Sequence, residues 1–143
     1  MKKNLSDFHI GQFVISLKEV GESASGDSPG GICAGRGELL VVRSINDKDG
    51  VEWPIAVSHE HRTDASFCVG VGEVRPAGKI VCRAEHNPSS IFIEYIEINS
   101  SSLRYLVWDT TNILDGEPPR YLSLGGAKNE ANRRCKREVV WLD

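Results

Sequence analysis

Two histidines one residue apart, His59 and His61, precede a cysteine, Cys68, in the stretch WPIAVSHEHRTDASFC. On an extended strand the side chains at i and i+2 share a face, so this H-x-H pair is spaced to hold one zinc ion. A third ligand would have to come from Cys68 or from the looser Cys82-x-x-x-His86 pair. The same residues suit thiol chemistry, in which a histidine takes the proton of Cys68 and Asp64 orients the ring. Neither a tight knuckle spacing nor a local cysteine-enzyme signature accompanies them. Flanked by Glu60 and Arg62, the two histidines read as a strand end and its loop. No catalytic residue is therefore assigned, His59 and His61 stay weak metal candidates, and no cofactor is expected.

A second group is cationic. Lys128, Arg133, Arg134, Lys136 and Arg137 place five positive charges in ten residues, with Glu130 among them and Glu138 just after. A basic helix face of this kind can contact phosphates or an acidic protein surface. Cations in the last turns of a helix also favour its dipole, and no interleaved aromatics are present to stack on bases. The glycines Gly30, Gly31, Gly35 and Gly37 lack the following helix that a phosphate cradle needs, since the strand-like ELLVVRSI comes next. Glu94, Glu97, Asp109, Asp115 and Glu117 form no pair whose spacing demands acid–base work. Trp53, Trp108 and Trp141 are expected in or beside the core; exposed, any of them would anchor an interface.

Composition bounds what these residues can serve. A chain of 143 residues with 40% hydrophobic and 26% charged residues is an ordinary globular protein, long enough for a core without staples. The net charge of −3 argues against a surface that grips nucleic acid everywhere, and leaves room for a local basic patch. No run of 18 apolar residues exists, and MKKNLSDFHIGQF lacks the apolar core of a secretory signal. The expected compartment is the cytosol, with no membrane partner. Cys33, Cys68, Cys82 and Cys135 are scattered without a C-x-x-C pair, as suits reduced thiols.

The elements that must position these groups are mostly short strands. In GQFVISLKEV, Phe13, Ile15 and Leu17 alternate with Gln12, Ser16 and Lys18, the period-2 pattern of a half-buried strand. GESASGDSPGGICAGRG reads as a long loop, ELLVVRSI as a strand buried on both faces, and NDKDG as a turn. WPIAVS, FCVGV, GEVRPA and KIVCRA continue the series. SIFIEYIEI and LRYLVWDT flank NSSS as a hairpin whose arms are apolar on both sides. One of its faces should pack on the first half, and the other should meet the C-terminal segment or a partner chain. ILDGEPPRYLSL leads as a loop into a short extended piece. A helix is expected from about Ala127 to Arg137, with Ala127, Ala131, Cys135 and Val139 as its packing stripe and VVWLD as a last strand.

The strand from Gly11, the long first loop, GRGELLVVRSI, PIAVS and FCVGVGEVRPA together resemble an SH3-like barrel of the broad kind that includes KOW-type modules. The resemblance covers residues 8 to 77 and is one of pattern. The paired-aromatic signature for Pro-rich ligands is missing from the first loop, so that activity is not implied. The expected fold is mainly β: an SH3-like barrel over residues 1–77, and a β-hairpin plus one short C-terminal basic helix over 78–143, packed on the barrel as one compact unit.

The leading functional expectation is a non-enzymatic binding protein acting through a protein–protein surface. Tyr95, Trp108, Lys128, Arg133, Arg134, Lys136 and Arg137 are its candidate partner-binding residues, and homo-oligomerisation through the hairpin is a further option. In size, acidity and lack of enzyme motifs the chain is similar to phage- or mobile-element-encoded inhibitors of host machinery such as anti-CRISPR proteins. The alternatives are a nucleic-acid-associated module using residues 128–137 with Arg36 and Arg43, and a metal-dependent or thiol enzyme at His59, His61 and Cys68.

Overall fold

A computed structural model describes residues 5–22, 31–60, 66–85, 88, 90–97, 103–109, 118–136 and 138–142. The chain divides into two compact units, Met1–Pro76 and Ala77–Asp143. It is mainly β, with three sheets and one short C-terminal α-helix among the described residues.

The first unit carries β1 (Phe13–Ser16), β2 (Val20–Glu22), β3 (Gly31–Ala34), β4 (Leu39–Ile45), β5 (Ile55–Ser58), β6 (Phe67–Val69) and β7 (Val74–Pro76). Five of them form one antiparallel sheet in the order β6-β5-β4-β1-β7. Its core gathers Val14, Leu40, Val42, Ile55, Val57 and Val69 with Phe8, Phe67 and Val74. Leu39, Leu40, Val41 and Val42 are all buried, so β4 is covered on both faces as its β-branched run implies.

β1 departs from the simple alternation. Val14 and Ile15 are fully buried, Ser16 is buried beside them, and Leu17 is exposed. The polar Ser16 is tolerated inside because its hydroxyl donates to Gly35 O at 2.5 Å and accepts from Glu38 N at 3.0 Å. The stretch read as one long loop holds β2 and β3, paired antiparallel, on either side of residues 23–30, which lie outside the described set. Glycine-rich composition hid these strands, which are only three and four residues long. At the β4–β5 turn Gly50 takes a φ of +82°, the left-handed conformation that its position in NDKDG anticipates.

The second unit carries β8 (Lys79–Arg83), β9 (Ile91–Tyr95), β10 (Tyr105–Asp109), β11 (Arg120–Tyr121) and α1 (Leu124–Cys135). Its sheet runs β11-β10-β9-β8, antiparallel throughout. β9 and β10 are the arms of the expected hairpin, in register Tyr95↔Tyr105 and Phe92↔Trp108; the tip, residues 98–102, lies outside the described set. One face, with Ile91, Ile93 and Val107, packs against Ala127 and Ala131 of α1 and against Val139. The small-residue stripe is therefore what lets the helix approach closely. On the other face Phe92, Glu94, Leu106 and Trp108 are buried too.

α1 begins three residues before the expected start, because Ser123 caps it by accepting Gly126 N at 3.1 Å. It ends at Lys136, a left-handed residue (φ 55°) whose N–H bonds back to Arg133 O. The tail returns beside β8: Asn132 Oδ1 holds Val139 N at 2.7 Å, Ala84 bridges Trp141, and Leu142 N donates to Arg83 O at 2.7 Å. Among the described residues no helix is long and apolar enough to cross a membrane.

Candidate functional site

Of the histidine pair, only His59 lies among the described residues. His59 follows β5, half-buried, with its ring 6.2 Å from that of Phe67. Its Nε2 lies 3.0 Å from Cys33 O, and a carbonyl can only accept, so Nε2–H is the donor and that nitrogen is not turned to a metal. His61, Asp64 and His86 lie outside the described residues. Among the described residues no three His, Cys, Asp or Glu side chains gather as metal ligands. Cys82 is buried, and that burial pushes its thiol above the ordinary value although Lys128 reaches it with a hydrogen bond. Cys82 thus stays protonated at neutral pH, in the unreactive form.

The basic segment is largely engaged within its own unit. Glu130, itself buried, accepts Arg133 through both oxygens at 2.5 Å and Arg134 Nε at 3.3 Å. Hydrogen bonding from Arg133, with further help from Tyr121 and the charge of Arg134, holds the Glu130 carboxyl below its usual range against the opposing effect of burial. Lys128 is half-buried against Cys82, Lys136 is exposed at the helix cap, and Arg137 lies outside the described residues. Arg43 is likewise turned to the fold, donating from Nε to Ser58 Oγ at 2.8 Å, whereas Arg36 is exposed.

Of the aromatic candidates, Trp108 is only 8% exposed. It stacks on Phe92 at 5.8 Å, and its indole N–H donates to Glu94 Oε1 at 3.1 Å. Glu94 Oε2 in turn accepts Gly78 N at 2.6 Å, so this buried carboxylate ties β8's approach to β9 and β10. Trp108 is a structural residue. Tyr95 is half-buried, its ring 5.2 Å from Tyr105 and its hydroxyl within 3.4 Å of both Glu97 Oε1 and Arg104 Nη1.

What the residues do assemble is a groove on the first unit, of about 1080 Å³. Its walls are the segment Lys18–Gly21 after β1, Glu52 and Trp53 before β5, and Ser66–Cys68 with Gly70–Glu73 around β6. Trp53 is 54% exposed within it. The β4–β5 ladder closes with Asn46 N bonded to Pro54 O, which leaves Trp53 just beyond the last rung. A close approach sets its neighbour: a Cβ on Gly70 would stand 3.3 Å from the Glu52 carbonyl, so glycine lets the turn after β6 abut this loop. That turn is locked by Glu73, whose backbone N–H bonds Gly70 O and whose carboxylate accepts Gly70 N at 2.8 Å. Lys18 then reaches Glu73 at 3.3 Å, and the Cys68 thiol is exposed on the groove wall.

The sequence places Trp53 in the core or at its edge, with an interface anchor as the reading if it is exposed, and it does not reveal the groove. The available signal was the place of Trp53 between a turn and Pro54, where the strand it precedes has not yet begun. No protein family, no curated protein and no solved structure matches the chain.

Proposed function

We propose that this chain is a non-enzymatic binding protein that docks a partner protein in the groove of its first unit, with Trp53 as the anchor. The observation that carries this reading is Trp53 itself, more than half exposed in a large groove. A tryptophan left in water loses the apolar burial and ring contacts that a partner would restore, and such residues dominate interface energetics. The order β6-β5-β4-β1-β7 supports an SH3-like barrel as its scaffold. The pairing of Arg133 and Arg134 with Glu130 favours this surface over the basic helix. The finer reading, an inhibitor of host machinery carried by a phage or mobile element, draws support from size and charge profile.

The test is capture from lysate of the source organism by the wild-type chain and by Trp53→Ala, each with and without nuclease. A protein retained by the wild type, resistant to nuclease and lost with Trp53→Ala supports the reading. Retention that nuclease abolishes, or that Trp53→Ala leaves intact, overturns it.

A further inference from the structure

The groove around Trp53 has a sign. Among its described lining residues, three carboxylates, Glu19, Glu52 and Glu73, face a single ammonium, Lys18. Lys18 and Glu73 neutralise one another across 3.3 Å, and Glu73 is further occupied by the Gly70 amide. Glu19 and Glu52 are both exposed, and neither has an ion-pair or hydrogen-bonding side-chain partner among the described residues. Two uncompensated carboxylates therefore line the groove that holds the exposed Trp53.

We infer that the groove takes an extended segment of a partner protein bearing a lysine or arginine, whose cation sits by Trp53 between Glu19 and Glu52. Each part follows from general chemistry. A cation over an indole face is held by the ring quadrupole, by about 0.5–2 kcal/mol depending on desolvation. Carboxylates lining the same groove supply charge-assisted acceptors for a guanidinium or ammonium and repel acidic segments. Trp53 is the only exposed aromatic among the groove's described lining residues, since Phe67 is buried in the core. A prolyl ligand clasped between two rings is thus not what this surface fits, and a single cationic residue is.

This inference rests on the docking reading above, and one experiment separates the two. The full chain is presented with an immobilised array of random 12-residue peptides, alongside Trp53→Ala and the double variant Glu19→Gln/Glu52→Gln. Both glutamates are exposed, so the double variant keeps the fold, which its circular dichroism spectrum verifies.

The expected result is a retained pool enriched in lysine and arginine. Replacing the cation by glutamine should weaken retention about 2- to 30-fold. Raising the salt should also weaken it, and the double variant should lose the enrichment. A pool retained through Trp53 without cationic enrichment would overturn the partner chemistry while the docking site stands. Equal retention by wild type and Trp53→Ala would overturn both. Self-association of the chain that the double variant abolishes would make a second copy the source of the cation, and would overturn a separate partner.

Discussion

The two units treat the same residue types in opposite ways. In the second, Trp108 lies inside, stacked on Phe92 and hydrogen-bonded to Glu94, and the buried acids Glu94 and Glu130 are both satisfied within the unit. In the first, Trp53 lies in a groove and two nearby carboxylates have no partners among the described residues. A buried indole with its N–H bonded adds to stability. An exposed one beside unpaired acids adds almost nothing to folding, and it is available to something else. The difference separates residues kept for the fold from those a partner can use.

Substituting the two tryptophans is the most direct way to break this contrast. Trp108→Ala should cost about 3–5 kcal/mol in urea unfolding, from the cavity it leaves and the Glu94 oxygen it strands. Trp53→Ala should stay within about 0.5 kcal/mol of wild type, as surface substitutions do. Similar losses for both would erase the distinction.

Next in size is Gly78→Ala. Its Cβ would stand 2.5 Å from Tyr95 O and 2.7 Å from Ile96 Cγ2, so backbone must move and stability should fall by about 1–3 kcal/mol. Gly70→Ala, with its nearest neighbour at 3.3 Å, should cost less. Its effect should appear instead as weaker capture, by shifting the Trp53 loop.

Lys136→Gly sharpens the contrast from the other side. It relieves a left-handed lysine and should raise stability by about 1 kcal/mol while deleting an exposed cation. Retained partner capture together with a higher melting temperature would set the basic helix aside as the binding surface.

The smallest effect concerns pH. The Glu130 carboxyl is held below its ordinary value of 4.5, so the unfolded chain takes up this proton before the folded one does. The stabilisation is present above that value and is lost as pH falls through the depressed folded value. Glu130→Gln should flatten this part of the acid-denaturation curve, which fluorescence-monitored melts at pH 2–7 would follow.

Much of the fold was legible because its signals are local. The hairpin β9–β10 declares itself by two apolar arms around a polar turn, and β4 by its β-branched run. The helix stripe Ala127, Ala131 and Cys135 was readable from spacing, whereas Val139, expected to continue it, lies past the helix end at Cys135 and reaches the same core from the returning tail. The helix start was not readable, since Gly125 and Gly126 look like breakers until Ser123 is seen capping them.

The site was harder. A tryptophan near an apolar strand reads as core, and only the hydrogen bond from Asn46 to Pro54 shows that the ladder ends before Trp53. The pairing of Glu130 with Arg133 and Arg134, by contrast, follows the i+3 and i+4 rule and was present in the sequence to be used. Glu94 was passed over because its partners, Gly78 and Trp108, are 16 and 14 residues away.

The strand lengths at the sheet margins have a consequence for behaviour in concentrated solution. β6 and β7, at the two margins of the five-stranded sheet, have three residues each, and β11 has two. β8 is longer, but its end is occupied by the returning tail through Ala84 and Arg83. The hairpin arms β9 and β10 lie in the middle of their sheet, flanked on both sides. Such margins offer a foreign strand too few backbone groups to template growth into fibres. The described margins of these two sheets are thereby poor templates for strand addition, even while the first unit keeps an open indole on its surface.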